Sequence, residues 1–308
     1  MNWRSSSRRV IRPLSGRRDS RAEPTDPTNL DPISRGRSGS PARPYDQEHL
    51  VAGEQPFGRW LRYHLYLPEG DPGDKLLISF SSARPDTEPR HAFPGPIASQ
   101  GRAVLFIRCL DGYWFGFNRK PVVFEESVAL VDSMIAERSL DRRDTIACGS
   151  SVGGKAALLV AARCGLGQAV VGTPTIQQGA FLIGKRGPRD DIQRRMAETM
   201  AGGIDKSARE FLDRWAIEIL TEPGPDLLIR LFTSREDQLY RTQIKTLVKL
   251  CRKSERLRLE LTLDDYHLHR ELHGRMPAYL AKTLSEVLGE SANRDAPARR
   301  AAVRGSNR

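Results

Sequence analysis

Residues 145–159, Thr145-Ile146-Ala147-Cys148-Gly149-Ser150-Ser151-Val152-Gly153-Gly154-Lys155-Ala156-Ala157-Leu158-Leu159, decide the fold. The first four read as a short buried strand, the last four open a helix, and between them lies G-x-S-x-G centred on Ser151. A serine at the tip of so sharp a turn has strained backbone angles. Small residues two before it and two after it let strand and helix approach without collision, so its hydroxyl projects into a cleft above the sheet. The first amides of the helix, that of Val152 among them, then offer N–H groups and positive potential to a developing oxyanion. The same stretch also spells Gly149-x-x-x-x-Gly154-Lys155, the frame of a phosphate-cradling loop, but Ala156 stands where a magnesium-binding Ser or Thr belongs. At least two core strands also precede it, whereas such a loop usually follows the first strand of its domain. Nucleotide binding through Lys155 is therefore a rival that lacks its metal ligand.

Outward from the elbow, short apolar runs recur at Lys75–Phe80, Ala103–Ile107, Gln168–Gly172 and Asp226–Phe232, as expected of strands covered on both faces. Helical patterns over 124–138 and 154–163 alternate with them, then strand 226–232, helix 243–253, strand 256–263 and a last helix over 277–288. Strands alternating with helices predict a mostly parallel sheet with helices on both faces. An alternating stretch over 59–67, closed by Pro68, predicts a leading antiparallel strand. Residues 175–222 break the rhythm: charged and punctuated by Gly179, Gly184 and Gly187, they predict a helical cap inserted between strands.

A nucleophilic serine needs a base, and the base an orienting acid, in the chain order Ser, then Asp or Glu, then His. The strand at 226–232 runs into Thr233-Ser234-Arg235-Glu236-Asp237, placing an acid beyond a strand's carboxyl end, where α/β sites are built. Asp237 is the chosen acid and Glu236 the alternative. Three of the six histidines, His267, His269 and His273, cluster between the final strand and final helix; His269 is the chosen base and His267 the second choice. The H-x-H-x3-H spacing lacks the Cys or acid cluster that would complete a metal site, and neither metal nor cofactor is expected. The loop Ser81-Ser82-Ala83-Arg84-Pro85 should supply the second oxyanion donor, the backbone N–H of Ser82, beside that of Val152. Asp111-Gly112-Tyr113-Trp114-Phe115-Gly116-Phe117 concentrates aromatics that would suit a sugar ring or acyl chain, or pack a core or lid.

The chain has 308 residues and a formal charge of +11, which would point to nucleic acid if spread over a folded face. It sits in the ends instead: residues 1–43 hold ten Arg and four acids, residues 290–308 five Arg and two, leaving 34 basic and 32 acidic residues between. Poor in apolar residues, the ends cannot offset the entropy of ordering, and tails over 1–45 and 290–308 are expected, with the domain over 46–289. The tails could hold an anionic partner; the core is not expected to bind nucleic acid. Four cysteines, Cys109, Cys148, Cys164 and Cys251, show no C-x-x-C spacing and fit reduced thiols and a cytoplasmic setting. No apolar run long enough for a signal peptide or membrane span occurs.

With these residues in view, the chain resembles the α/β-hydrolase superfamily over about 59–289. FSSARP after the first core strand, the Asp-Gly-Tyr-Trp loop, GSSVGGKAAL, SREDQLY and the closing HLHREL…MPAYL are similar to a bacterial branch that includes accessory Sec secretion acyltransferase-like and capsule-biosynthesis proteins. The resemblance implies a Ser151, Asp237, His269 triad and O-acetylation or deacylation of a carbohydrate. A non-catalytic hydrolase-fold partner in glycan export or secretion is the alternative from another class.

Overall fold

Alternation along the strands sorts the core into two layers. In β3 (Leu76–Phe80) and β4 (Ala103–Cys109), residues Leu76, Ile78, Phe80, Leu105 and Ile107 enter one apolar cluster, while Leu77, Val104 and Phe106 enter the other. This is the two-residue period of a sheet buried on both faces. The structure, a computed structural model, describes residues 51–82, 91–110, 113–222 and 224–305, for 290–305 the backbone alone. The expected tail over 1–45, residues 83–85 of the oxyanion loop, Asp111 and Gly112 lie outside the described residues. Those that are described fall within the compact unit Pro41–Arg308.

The remaining strands are β1 (Gln55–Phe57), β2 (Leu61–Tyr66), β5 (Thr145–Ser150), β6 (Gln168–Gly172), β7 (Leu227–Ser234) and β8 (Leu257–Asp264). They form one sheet in the order β1-β2-β4-β3-β5-β6-β7-β8. Only the β1–β2 and β2–β4 pairs are antiparallel, so the mostly parallel sheet and the leading antiparallel strand appear as expected. Along one face lie α2 (Val122–Glu137) and α3 (Ser151–Cys164), joined by α7 (Lys245–Lys253) through Leu247 and Cys251. The other face receives α1 (Pro94–Ala98) and α8 (Leu272–Gly305). Leu272, Met276, Leu280 and Leu284, four residues apart, form the buried stripe of α8. α8 begins before the expected start at 277 and runs past Leu288 into the segment read as tail. Ala and Arg, which dominate 298–304, are strong helix formers and extend a helix already nucleated by packing.

Between β6 and β7 the insertion folds as α4 (Gln178–Leu182), α5 (Asp191–Ala201) and α6 (Lys206–Thr221). Asp190 caps α5 through the Gln193 amide and Asp205 caps α6 through that of Ala208. Leu182, Met196, Met200 and Leu212 give the cap its own small core, closed against Phe115. No helix among the described residues is long and apolar enough to cross a membrane.

Candidate active site

The elbow is a consequence of glycines. A Cβ on Gly153 would lie 2.6 Å from both the Phe80 and Ser81 carbonyl oxygens, and one on Gly149 would enter the Gly153 backbone, 2.9 Å from the Gly154 nitrogen. Only hydrogen at these positions lets α3 start directly over the ends of β5 and β3. Ser151, the first residue of α3, is forced to φ 53°, a left-handed conformation costing a non-glycine residue about 1–2 kcal/mol. Half-buried, it stands at the carboxyl end of β5, near the middle of the sheet.

Two other strand ends bring the remaining groups in. The Ser151 Oγ lies 3.0 Å from His269 Nε2, and His269 Nδ1 lies 2.9 Å from Asp237 Oδ2. Asp237 follows β7 and is buried; the His269 side chain, in a short turn after β8, keeps 17% of its surface exposed. Burial by itself would raise the Asp237 pKa. The His269 hydrogen bond outweighs it, together with the Leu239 N–H at 2.9 Å, the imidazole's charge and the Tyr266 hydroxyl, so the carboxyl is held below its ordinary value. The alternatives lie elsewhere: Glu236 is exposed, His267 is exposed with its backbone N–H donating to Glu271, and His273 faces the Phe93 ring at 6.5 Å. Among the described residues no three His, Cys, Asp or Glu gather as metal ligands.

No protein-family model matches the sequence, and no curated protein matches it. Solved structures do match. A chain of the Glycosylation Associate Protein (Gap123) complex from Streptococcus agalactiae superposes with a TM-score of 0.62 at 15% identity, covering 74% of this chain and 44% of its own. This chain thus spans less than half the length of that one. The capsule O-acetyltransferase of Neisseria meningitidis serogroup A superposes with a TM-score of 0.57 at 15% identity, over 73% of this chain and 91% of its own, and a mutant form of it is known in complex with CoA. FphF, a fluorophosphonate-binding serine hydrolase of Staphylococcus aureus, gives 0.51 at 12% identity over 74% and 94%. This chain has the α/β-hydrolase fold.

Several residues that support the elbow of this α/β-hydrolase fold escaped the sequence reading. The Ser81 N–H is engaged by the Ile107 carbonyl at 3.0 Å, whereas the next amide, that of Ser82, makes no backbone hydrogen bond among the described residues. Trp114 holds this loop: its indole N–H donates to the Ser81 carbonyl at 2.9 Å and its ring meets Phe80 edge-on. Trp114 and Phe115 are buried, which selects core packing over faces that meet a sugar or acyl chain. Apolar area of that size gains more from the core than from a cleft.

Lys155 is wholly buried one turn beyond Ser151, its ammonium donating to the Tyr113 carbonyl at 3.0 Å and to Gln178 Oε1, under the Trp215 ring. It fastens the cap helices α4 and α6 to the elbow helix rather than facing a phosphate. Behind Asp237, Thr173 Oγ1 bonds Thr233 Oγ1 at 3.0 Å and the Tyr266 hydroxyl at 2.7 Å, all buried. Burial pushes the Tyr266 pKa up to about 12, keeping the hydroxyl protonated. None of these contacts has a local sequence signature; the one available cue was a lysine inside an Ala/Leu helix.

Proposed function

We propose that the chain is a serine-dependent acyl hydrolase or acyltransferase in which Ser151 is the nucleophile, His269 the base and Asp237 the orienting acid. The observation that carries this reading is the unbroken hydrogen-bond chain from Ser151 Oγ through both imidazole nitrogens to a buried carboxylate. Ser151 Oγ attacks the acyl carbonyl carbon while His269 Nε2 takes its proton, and Asp237 stabilises the imidazolium. The carbonyl oxygen becomes an oxyanion against the N–H groups of Val152, at the start of α3, and Ser82. Collapse expels the leaving group, which receives the proton from His269 and leaves an acyl-Ser151. Water or a hydroxyl acceptor then reverses these steps. The CoA complex of the similarly folded acetyltransferase supports a thioester donor, and its capsule substrate a carbohydrate hydroxyl. Four buried free cysteines support a reducing, cytoplasmic setting.

Mixing the chain with p-nitrophenyl acetate tests this. A burst of nitrophenolate equal to the protein, with one acetyl group on Ser151, is expected. No burst and no acetyl-Ser151 from folded protein would contradict it. That outcome would favour the second reading, a binding module within an assembly, which the likeness to a chain of the Gap123 complex supports.

A further inference from the structure

The two edges of the sheet are unequal. β1 closes one edge with three residues, whereas β8 at the other spans eight and, among the described residues, pairs only with β7. Its sequence, LRLELTLD, alternates. Leu257 and Leu259 reach into the main core, but Leu261 and Leu263 on the same face are 40% and 41% exposed. Arg258 is exposed and makes no ion pair among the described residues. A long edge whose outer N–H and C=O groups pair with no strand among the described residues, beside an apolar face, is a template for another strand, which native proteins ordinarily blunt.

We propose that the occupant is the β8 of a second copy, paired antiparallel about a two-fold axis through Leu261. The strand's own charges select this register. With the axis at Leu261, Leu261 opposes its twin, Leu259 opposes Leu263, Glu260 opposes Thr262, and Arg258 opposes Asp264, twice over by symmetry. Both exposed leucines are covered. An axis at Glu260 sets that carboxylate against itself, and one at Thr262 sets Glu260 against Asp264, both repulsive. An axis at Leu259 pairs Arg258 with Glu260 but leaves Leu263 opposite the charged Glu255. In the favoured register Asp264 receives Arg258 in addition to its loose contact with Arg275 at 3.8 Å. The result is a single sheet running through two subunits with an isologous contact, closed by its own symmetry.

Cysteine placed at the axis reads the register directly, because all four natural cysteines are buried and silent. In the full chain, Leu261→Cys is expected to cross-link to a disulfide dimer under mild oxidation. Thr262→Cys is not, since its twin would lie beyond the roughly 7 Å a disulfide spans. Sedimentation velocity of the unaltered chain in the micromolar range should show a dimer, and Leu261→Lys a folded monomer, by unchanged circular dichroism. A monomeric unaltered chain, equal cross-linking of the two cysteine variants, or a dimer that survives Leu261→Lys would each overturn the proposal.

Discussion

Two carboxylate–imidazole pairs of nearly equal separation occupy different depths of this molecule. Asp237 and His269 meet at 2.9 Å, Glu54 and His91 at 3.0 Å. In the first the imidazole is partly exposed and its second nitrogen faces Ser151; in the second the imidazole is fully covered and the carboxylate is shared with the Arg108 guanidinium. Burial alone would raise the Glu54 pKa, but hydrogen bonds and charge from Arg108 and His91 bring it down to about 2. Glu54 thereby fastens the start of the described chain to β4. The two pairs differ in that a serine hydroxyl on the far nitrogen and an opening to solvent separate the proposed site from the clamp.

Substitutions can break this contrast in a graded way. Asp237→Asn should lower kcat/KM for an activated ester by about 10³–10⁴-fold, through loss of imidazole orientation and imidazolium stabilisation, with little change in thermal midpoint. Steady-state kinetics beside a melting curve check it, and a loss below tenfold would place Asp237 with the clamp. Glu54→Gln should do the reverse, leaving kcat/KM near the parent value while costing about 3 kcal/mol of stability at neutral pH, from a shift between 4.5 and about 2. The folded-state pKa is depressed, so this stabilisation is complete above the ordinary carboxylate value and lost as pH falls toward 2. Urea titrations across that interval should show parent and variant converging in acid.

The smallest effect is expected from Tyr266→Phe. Removing the hydroxyl that helps hold the Asp237 carboxyl low should raise that carboxyl's pKa and lower kcat/KM by about tenfold or less. An unchanged kcat/KM would reduce Tyr266 to packing.

Much of the architecture was legible because its signals are local. Gly149 and Gly153 mark the elbow through a close approach that any side chain would block, and the apolar runs mark β3 to β7 by length and composition. The site was legible only in part. Chain order narrows the acid to Asp237 or Glu236 and the base to three histidines, but neighbours one or two residues apart differ only in which way packing turns them. Contacts of long sequence separation were not legible at all: Glu54 to Arg108, Lys155 to Gln178, and Thr173 to Tyr266 join residues with no shared pattern. The aromatic loop after β4 shows the same limit, since Trp114 in a cleft and Trp114 in a core have one sequence.

Fluorophosphonate labelling followed by peptide mass mapping tests most directly whether a serine activated by its histidine separates the two pairs. A single adduct on Ser151 is expected, formed at a rate that falls by at least about 10³-fold in His269→Ala and is unchanged in His91→Ala. An adduct on another residue, or labelling of Ser151 indifferent to His269, would contradict the account.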